Sequence, residues 1–307
     1  MPSDTGEQAH VPATSRPALS RPTIPQLGGY GIVGLFIIAG AELLLVMQVR
    51  IVQAWFTPIV WTGYILLVDD LVFRLRGRSL LRNRRREFLM MLPLSVGFWL
   101  IFEVYNFRLQ NWFYIGLPDT IWLRDIGFFW AFATILPGIF ETAELLEGLG
   151  ILRNRRTPPI RFSGRLHLLA VLTGLIFLVV PPLLPLPLAA YTFGFVWLGF
   201  ILVLDPLNYR WGAESLLAQW EQGRWRRTLT VLLAGLICGL LWEFWNYWAI
   251  GKWIYAVPIL SDIKLFEMPV AGFLGFPPFA LECYVMYNTA RRFLAGHLWA
   301  TERDHRT

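Results

Sequence analysis

Three pairs of acidic residues stand inside or at the ends of strongly apolar stretches of this chain: Asp69 with Asp205, Glu103 with Glu243, and Glu141 with Glu282. A carboxylate at bilayer depth costs about 2.5–3.5 kcal/mol on insertion scales, so such groups face protein, seek partners and mark function. Asn106 and Asn246 each follow a glutamate by three residues, which sets acid and amide on one helical face about a turn apart. Glu103 and Glu243 would then act as general acid and base, with the two asparagines orienting them. Two glutamates brought together would repel, and one would keep its proton at neutral pH, as a general acid must. Asp69 and Asp205 instead stand five residues before Arg74 and Arg210, where a salt bridge or a helix-end contact explains them without chemistry.

Rings crowd the same places. Trp112 and Tyr114 follow Glu103, and Trp242, Trp245, Trp253 and Tyr255 surround Glu243. Trp and Tyr at segment ends fit an interfacial belt, and aromatic faces also stabilise cations. A proton donor beside such faces suits protonation of an apolar alkene to a carbocation. Glu267, Glu141 and Glu282 complete the expected substrate-binding set. Glu267 is expected to open the last apolar segment, where Pro269, Pro277 and Pro278 should bend a helix and free carbonyls around a cavity.

The elements that position these groups must be membrane helices. Of 307 residues 56% are hydrophobic and 15 are Trp, far above a soluble domain. Apolar runs of about 20 residues, enough to span, lie near 29–49, 52–73, 88–108, 121–146, 166–184, 188–208, 229–250 and 266–290. Arginine clusters follow the second, fourth, sixth and eighth runs, so an even count puts them all on one side, with both termini cytoplasmic.

The chain also repeats. Residues 61–74 match 197–210, Ser79-Leu80-Leu81 matches Ser215-Leu216-Leu217, 102–106 matches 242–246, and 112–118 matches 253–258. The expected fold is an all-α integral membrane protein of about eight transmembrane helices, arranged as two tandem four-helix repeats. An even number of spans per copy makes the repeats parallel, about an axis along the membrane normal. The boundaries read as a disordered cytoplasmic tail over 1–26, a first repeat over 27–150, a basic linker over 151–165, a second repeat over 166–292 and a tail over 293–307. The expected location is a bacterial inner membrane.

Several classes fall away. The net charge of +6 sits in short arginine runs that topology explains, so nucleic acid is not an expected partner. Cys238 and Cys283 lie inside apolar runs, and the four histidines have no spacing that would set two on one face. No metal and no cofactor is expected. The expected partners are the bilayer and an apolar small molecule, and a homo-oligomer is compatible with both.

Trp242-Glu243, then Gly251-Lys252-Trp253-Ile254-Tyr255, then Pro258 and a proline-containing helix resemble the repeated domain of membrane-embedded lycopene cyclases of the heterodimeric or fused type. Glu103, Trp112, Tyr114 and Pro118 are the first-copy equivalents. The resemblance covers about a third of the chain and implies acid-catalysed cyclisation or isomerisation of a carotenoid or other isoprenoid, without redox change. The chain departs from that family where paired glutamates would follow Pro269, since Val270, Ala271 and Gly272 stand there, and in having four spans per copy rather than three. Two other classes stay open from the residues alone: a transporter or channel lined by the carboxylates, and a scaffold whose polar groups only lock helices together.

Overall fold

The computed structural model describes residues 26–153 and 157–298. Nearly all of the tail expected over 1–26, most of that over 293–307 and three residues of the basic linker lie outside the described residues. The long helices are α1 (Gly29–Val46), α2 (Phe56–Arg76), α3 (Arg85–Leu109), α4 (Ile121–Ala133), α5 (Ile135–Gly148), α6 (Gly164–Leu183), α7 (Phe193–Arg210), α8 (Arg226–Trp248) and α9 (Phe276–Leu298). Two short strands, β1 (Trp112–Ile115) and β2 (Lys252–Tyr255), follow α3 and α8.

Among the described residues seven helical stretches are long and apolar enough to cross a membrane, with α4 and α5 together forming one of them. The seven omit α7, expected as the sixth span, because Asp205, Asn208 and Arg210 occupy its last turns and dilute its apolar run. The break between α4 and α5 has a covalent cause. Pro137 lacks the N–H that would bond to Ala133, and Ser95 of α3 bridges the gap, its hydroxyl donating to the Phe132 carbonyl (2.5 Å) and accepting from the Leu136 N–H (3.0 Å).

The prolines of the last segment act differently from the expectation of a bend. Pro277 and Pro278 sit in the first turn of α9, where a missing N–H costs nothing. A 3-10 turn, Val270–Gly275, precedes them. Glu267 therefore stands ahead of the helix rather than opening it, in the turn between the two-residue strands Lys264–Leu265 and Met268–Pro269.

Small residues set the closest helix pairs. A side chain on Gly34 of α1 would run into the Gly63 carbonyl of α2, and one on Gly174 of α6 would run into the Gly199 carbonyl of α7. Backbones approach this closely in membranes because small residues replace hydrophobic drive with van der Waals contact. The two aspartates serve one local purpose. Asp69 accepts from Ser79 Oγ (2.8 Å), the Leu81 N–H (2.8 Å) and Tyr30 OH (2.9 Å), while Asp205 accepts from the Leu216 and Leu217 N–H groups (2.7 and 2.9 Å). Each holds the start of a short helix whose serine cap, Ser79 or Ser215, sits beside it. The helix-end alternative is thus the one realised, and Asp70 rather than Asp69 pairs with Arg74 (3.7 Å).

The halves interlock through rings. Trp61 of α2, fully buried, packs against Trp242 and Trp245 of α8 with centroids 5.1 and 5.2 Å away. Phe200 of α7 meets Phe102 and Tyr105 of α3 at 6.0 and 6.3 Å. Each half thus inserts its ring-bearing helix against the glutamate-bearing helix of the other.

Candidate functional site

Asn106 and Asn246 end their helices by clamping the strands that follow. Asn106 Nδ2 donates to the Trp112 carbonyl (2.8 Å), and its Oδ1 accepts from the N–H groups of Asn111 (2.8 Å) and Trp112 (3.2 Å). Asn246 does the same for Trp253, donating to its carbonyl (2.8 Å) and accepting from its N–H (3.0 Å). Their expected role of orienting the glutamates directly is replaced by an indirect one, because both amides are consumed by backbone. Asn246→Ala should cost about 1–3 kcal/mol for each buried backbone group left unpaired. Thermal unfolding in detergent measures it, and an unchanged midpoint would remove this clamp from the account.

The clamped strands then hold the glutamates. Glu103 Oε1 accepts from Tyr114 OH (2.5 Å), Trp99 Nε1 (2.8 Å) and Trp112 Nε1 (3.1 Å). Glu243 Oε1 accepts from Tyr255 OH (2.7 Å) and Trp253 Nε1 (3.3 Å), and Trp253 Nε1 also donates to Tyr255 OH (2.8 Å). A tryptophan and a tyrosine two residues apart point to one face of a strand, so both reach the same carboxylate. Glu243 is fully buried and its second oxygen has no hydrogen-bond partner.

β1 and β2 pair antiparallel, with Trp112 opposite Tyr255, Phe113 opposite Ile254 and Tyr114 opposite Trp253. The register is symmetric about the Phe113–Ile254 position, so the tryptophan of each strand faces the tyrosine of the other. The ribbon brings the two Trp–Tyr sets side by side, while Glu103 and Glu243 stay on their own helices, each behind its own tyrosine.

One face of this assembly lines a cavity of about 520 Å³ that draws on both halves of the chain, within the range of about 300–1,000 Å³ usual for ligand sites. Trp112, Tyr114, Trp242, Trp253 and Tyr255 line it, as do Trp61, Trp99, Trp197, Phe128 and Phe279. Trp99 escaped the sequence reading, although its i, i+4 spacing to Glu103 places both on one helical face.

The remaining expected residues lie elsewhere. Trp245 packs behind the cavity wall, its Nε1 donating to Glu42 Oε1 at 2.9 Å. Glu42 is an acid inside the first apolar run that the pairing of acidic residues along the sequence passed over. Glu267 accepts from Lys252 Nζ at 2.6 Å. Glu141 and Glu282 are fully buried in α5 and α9 and neither lines the cavity. Burial, and then the glutamate beside each, pushes the Tyr114 and Tyr255 hydroxyls well above the ordinary phenol value. Both therefore remain donors at neutral and mildly alkaline pH. The chain matches no family model, no curated protein and no solved structure.

Proposed function

We propose that this is an intramembrane enzyme that acts on an apolar isoprenoid or lipid chain by acid–base chemistry, cyclising or isomerising a double bond. The observation that carries the reading is the position of Tyr114 and Tyr255, each with its ring on the cavity and its hydroxyl on a glutamate behind the wall. A proton placed on Glu243 reverses that bond: the carboxyl donates to Tyr255, and the phenol turns its own proton toward the cavity. The proton adds to one alkene carbon and leaves a carbocation on the other. The faces of Trp61, Trp99, Trp242 and Phe279 stabilise that cation. Attack by a second double bond closes a ring, or loss of a neighbouring proton moves the double bond. In either case the proton returns to a tyrosine–glutamate pair, so the product is an isomer and no redox partner is needed.

The resemblance to lycopene cyclases gives the same chemistry. The arrangement that goes with this reading is eight spans, counting α7, in two parallel four-helix copies, with the arginine-rich loops and both termini in the cytoplasm of a bacterial cell. The equivalent clamps of Asn106 and Asn246, the equivalent aspartate caps and the symmetric register of β1 with β2 support the duplication. A transport path would need carboxylates facing the cavity, and among the described residues none lines it.

The test compares apolar extracts of host cells and of protein purified in mild detergent for the unaltered chain, Glu103→Gln and Glu243→Gln. Mass spectrometry should find a co-purifying isoprenoid or lipid whose isomeric product disappears in the variants. Identical extracts from three folded proteins would sink the enzyme reading.

A further inference from the structure

We propose that the substrate is an amphiphile, a long apolar chain that ends in an anionic oxygen group such as a phosphate, with the chain among the rings and the head at Arg124 and Lys252. This rests on the reading of the cavity as a substrate site. α4 lines the cavity with Ala131, Phe128, Gly127 and Arg124, a stripe at helical spacing that ends in a guanidinium at the first turn. Lys252 begins β2 and lines the same cavity beside Trp253 and Tyr255. Among the described lining residues these two carry the only charges, both positive.

The chain path sets them at one edge. Lys252 is paired with Ile115 across the ribbon, and residues 116–120 alone connect Ile115 to the first turn of α4. Gly116, at φ +65 and against the Ile250 carbonyl, makes the turn that this short link requires. That edge lies at the end of the helices opposite the arginine-rich loops, where the topology bias that accounts for the other clusters gives no reason for cations. A pure hydrocarbon would leave both charges facing an apolar ligand, an expensive arrangement away from water.

Their protein partners leave capacity to spare. Among the described residues the Arg124 side chain meets only its exposed neighbour Asp125, at 3.7 Å, a kind of pair worth little. Lys252 Nζ donates to Glu267 (2.6 Å) and to the Tyr247 carbonyl (3.2 Å), two of its three protons. Neither Asp125 nor Glu267 lines the cavity. The site is therefore apolar at depth and cationic at its rim, which matches a chain with one anionic end.

The experiment titrates the full chain in phosphatidylcholine nanodiscs with geranylgeranyl phosphate, with geranylgeraniol and with inorganic phosphate, reading tryptophan fluorescence. The phosphate-headed chain should bind at least about tenfold tighter than the alcohol. Arg124→Gln, alone and with Lys252→Gln, should shrink that preference and leave alcohol affinity unchanged; the single variant, which spares the Lys252–Glu267 pair, keeps the test valid if the double one misfolds. Equal binding of phosphate and alcohol, or a preference that survives in Arg124→Gln, overturns the headgroup assignment while the cavity reading stands. Competition by inorganic phosphate alone would show an anion site without a chain and overturns the amphiphile. Failure of both chains to bind overturns the headgroup and the cavity reading together.

Discussion

Tyr114→Phe combined with Tyr255→Phe should lower the rate of product formation by about 10²- to 10⁴-fold, the usual contribution of a positioned proton donor, while leaving substrate affinity nearly intact. Removing each hydroxyl deletes one bond to a glutamate and no ring from the cavity wall. The single variants separate the two copies. If one tyrosine donates and the other receives, each single change costs nearly as much as the pair; if either pair can do both jobs, each single change costs little. The raised hydroxyls add a sign. Any fall at lower pH reports loss of the proton that the relay needs on Glu243; a phenol pushed above its ordinary value keeps its own proton to higher pH, so the tyrosines should add no further step as pH passes through the ordinary phenol range near 10. A pH–rate profile with a further step there would show an exposed donor instead, and the relay would be abandoned.

What the sequence could disclose was the short-range part of this site. Glutamate and asparagine three apart, then a tryptophan and a tyrosine two apart, are local patterns whose faces follow from helix and strand periodicity. The rings beside them fitted an interfacial belt and a cation-stabilising wall equally well. The long-range part depended on which copies touch. Nothing local announces that Trp112 pairs with Tyr255, that Trp245 reaches Glu42, or that Lys252 meets Glu267. The same limit explains Asn106 and Asn246, whose partners are backbone groups that no side-chain pattern encodes. It also explains Glu141 and Glu282, read as substrate contacts from their pairing inside apolar stretches but buried away from the cavity.

At the opposite end of the bundle the largest stability effect is expected from Arg84→Ala. Arg84 donates to Glu144 at 2.6 Å and lies 3.6 Å from Glu87, with all three side chains nearly buried. Glu144 also meets Arg76 at 3.3 Å, and Glu87 accepts from Tyr287 of α9 at 2.9 Å, so one guanidinium ties α3 to α5 and, through Glu87, to the last helix. Truncating it leaves two carboxylates short of their shared counter-charge in a site that water scarcely reaches. Breaking a buried pair from one side costs about 3–5 kcal/mol, and unfolding in SDS from mixed micelles reads it. Replacing both partners with apolar residues of similar size, Arg84→Met with Glu144→Leu, should recover much of the loss, because the desolvation penalty leaves with the charges. The remaining deficit then measures what Glu87 loses, and a double variant no better than Arg84→Ala would show that Glu87, not Glu144, depends most on this arginine.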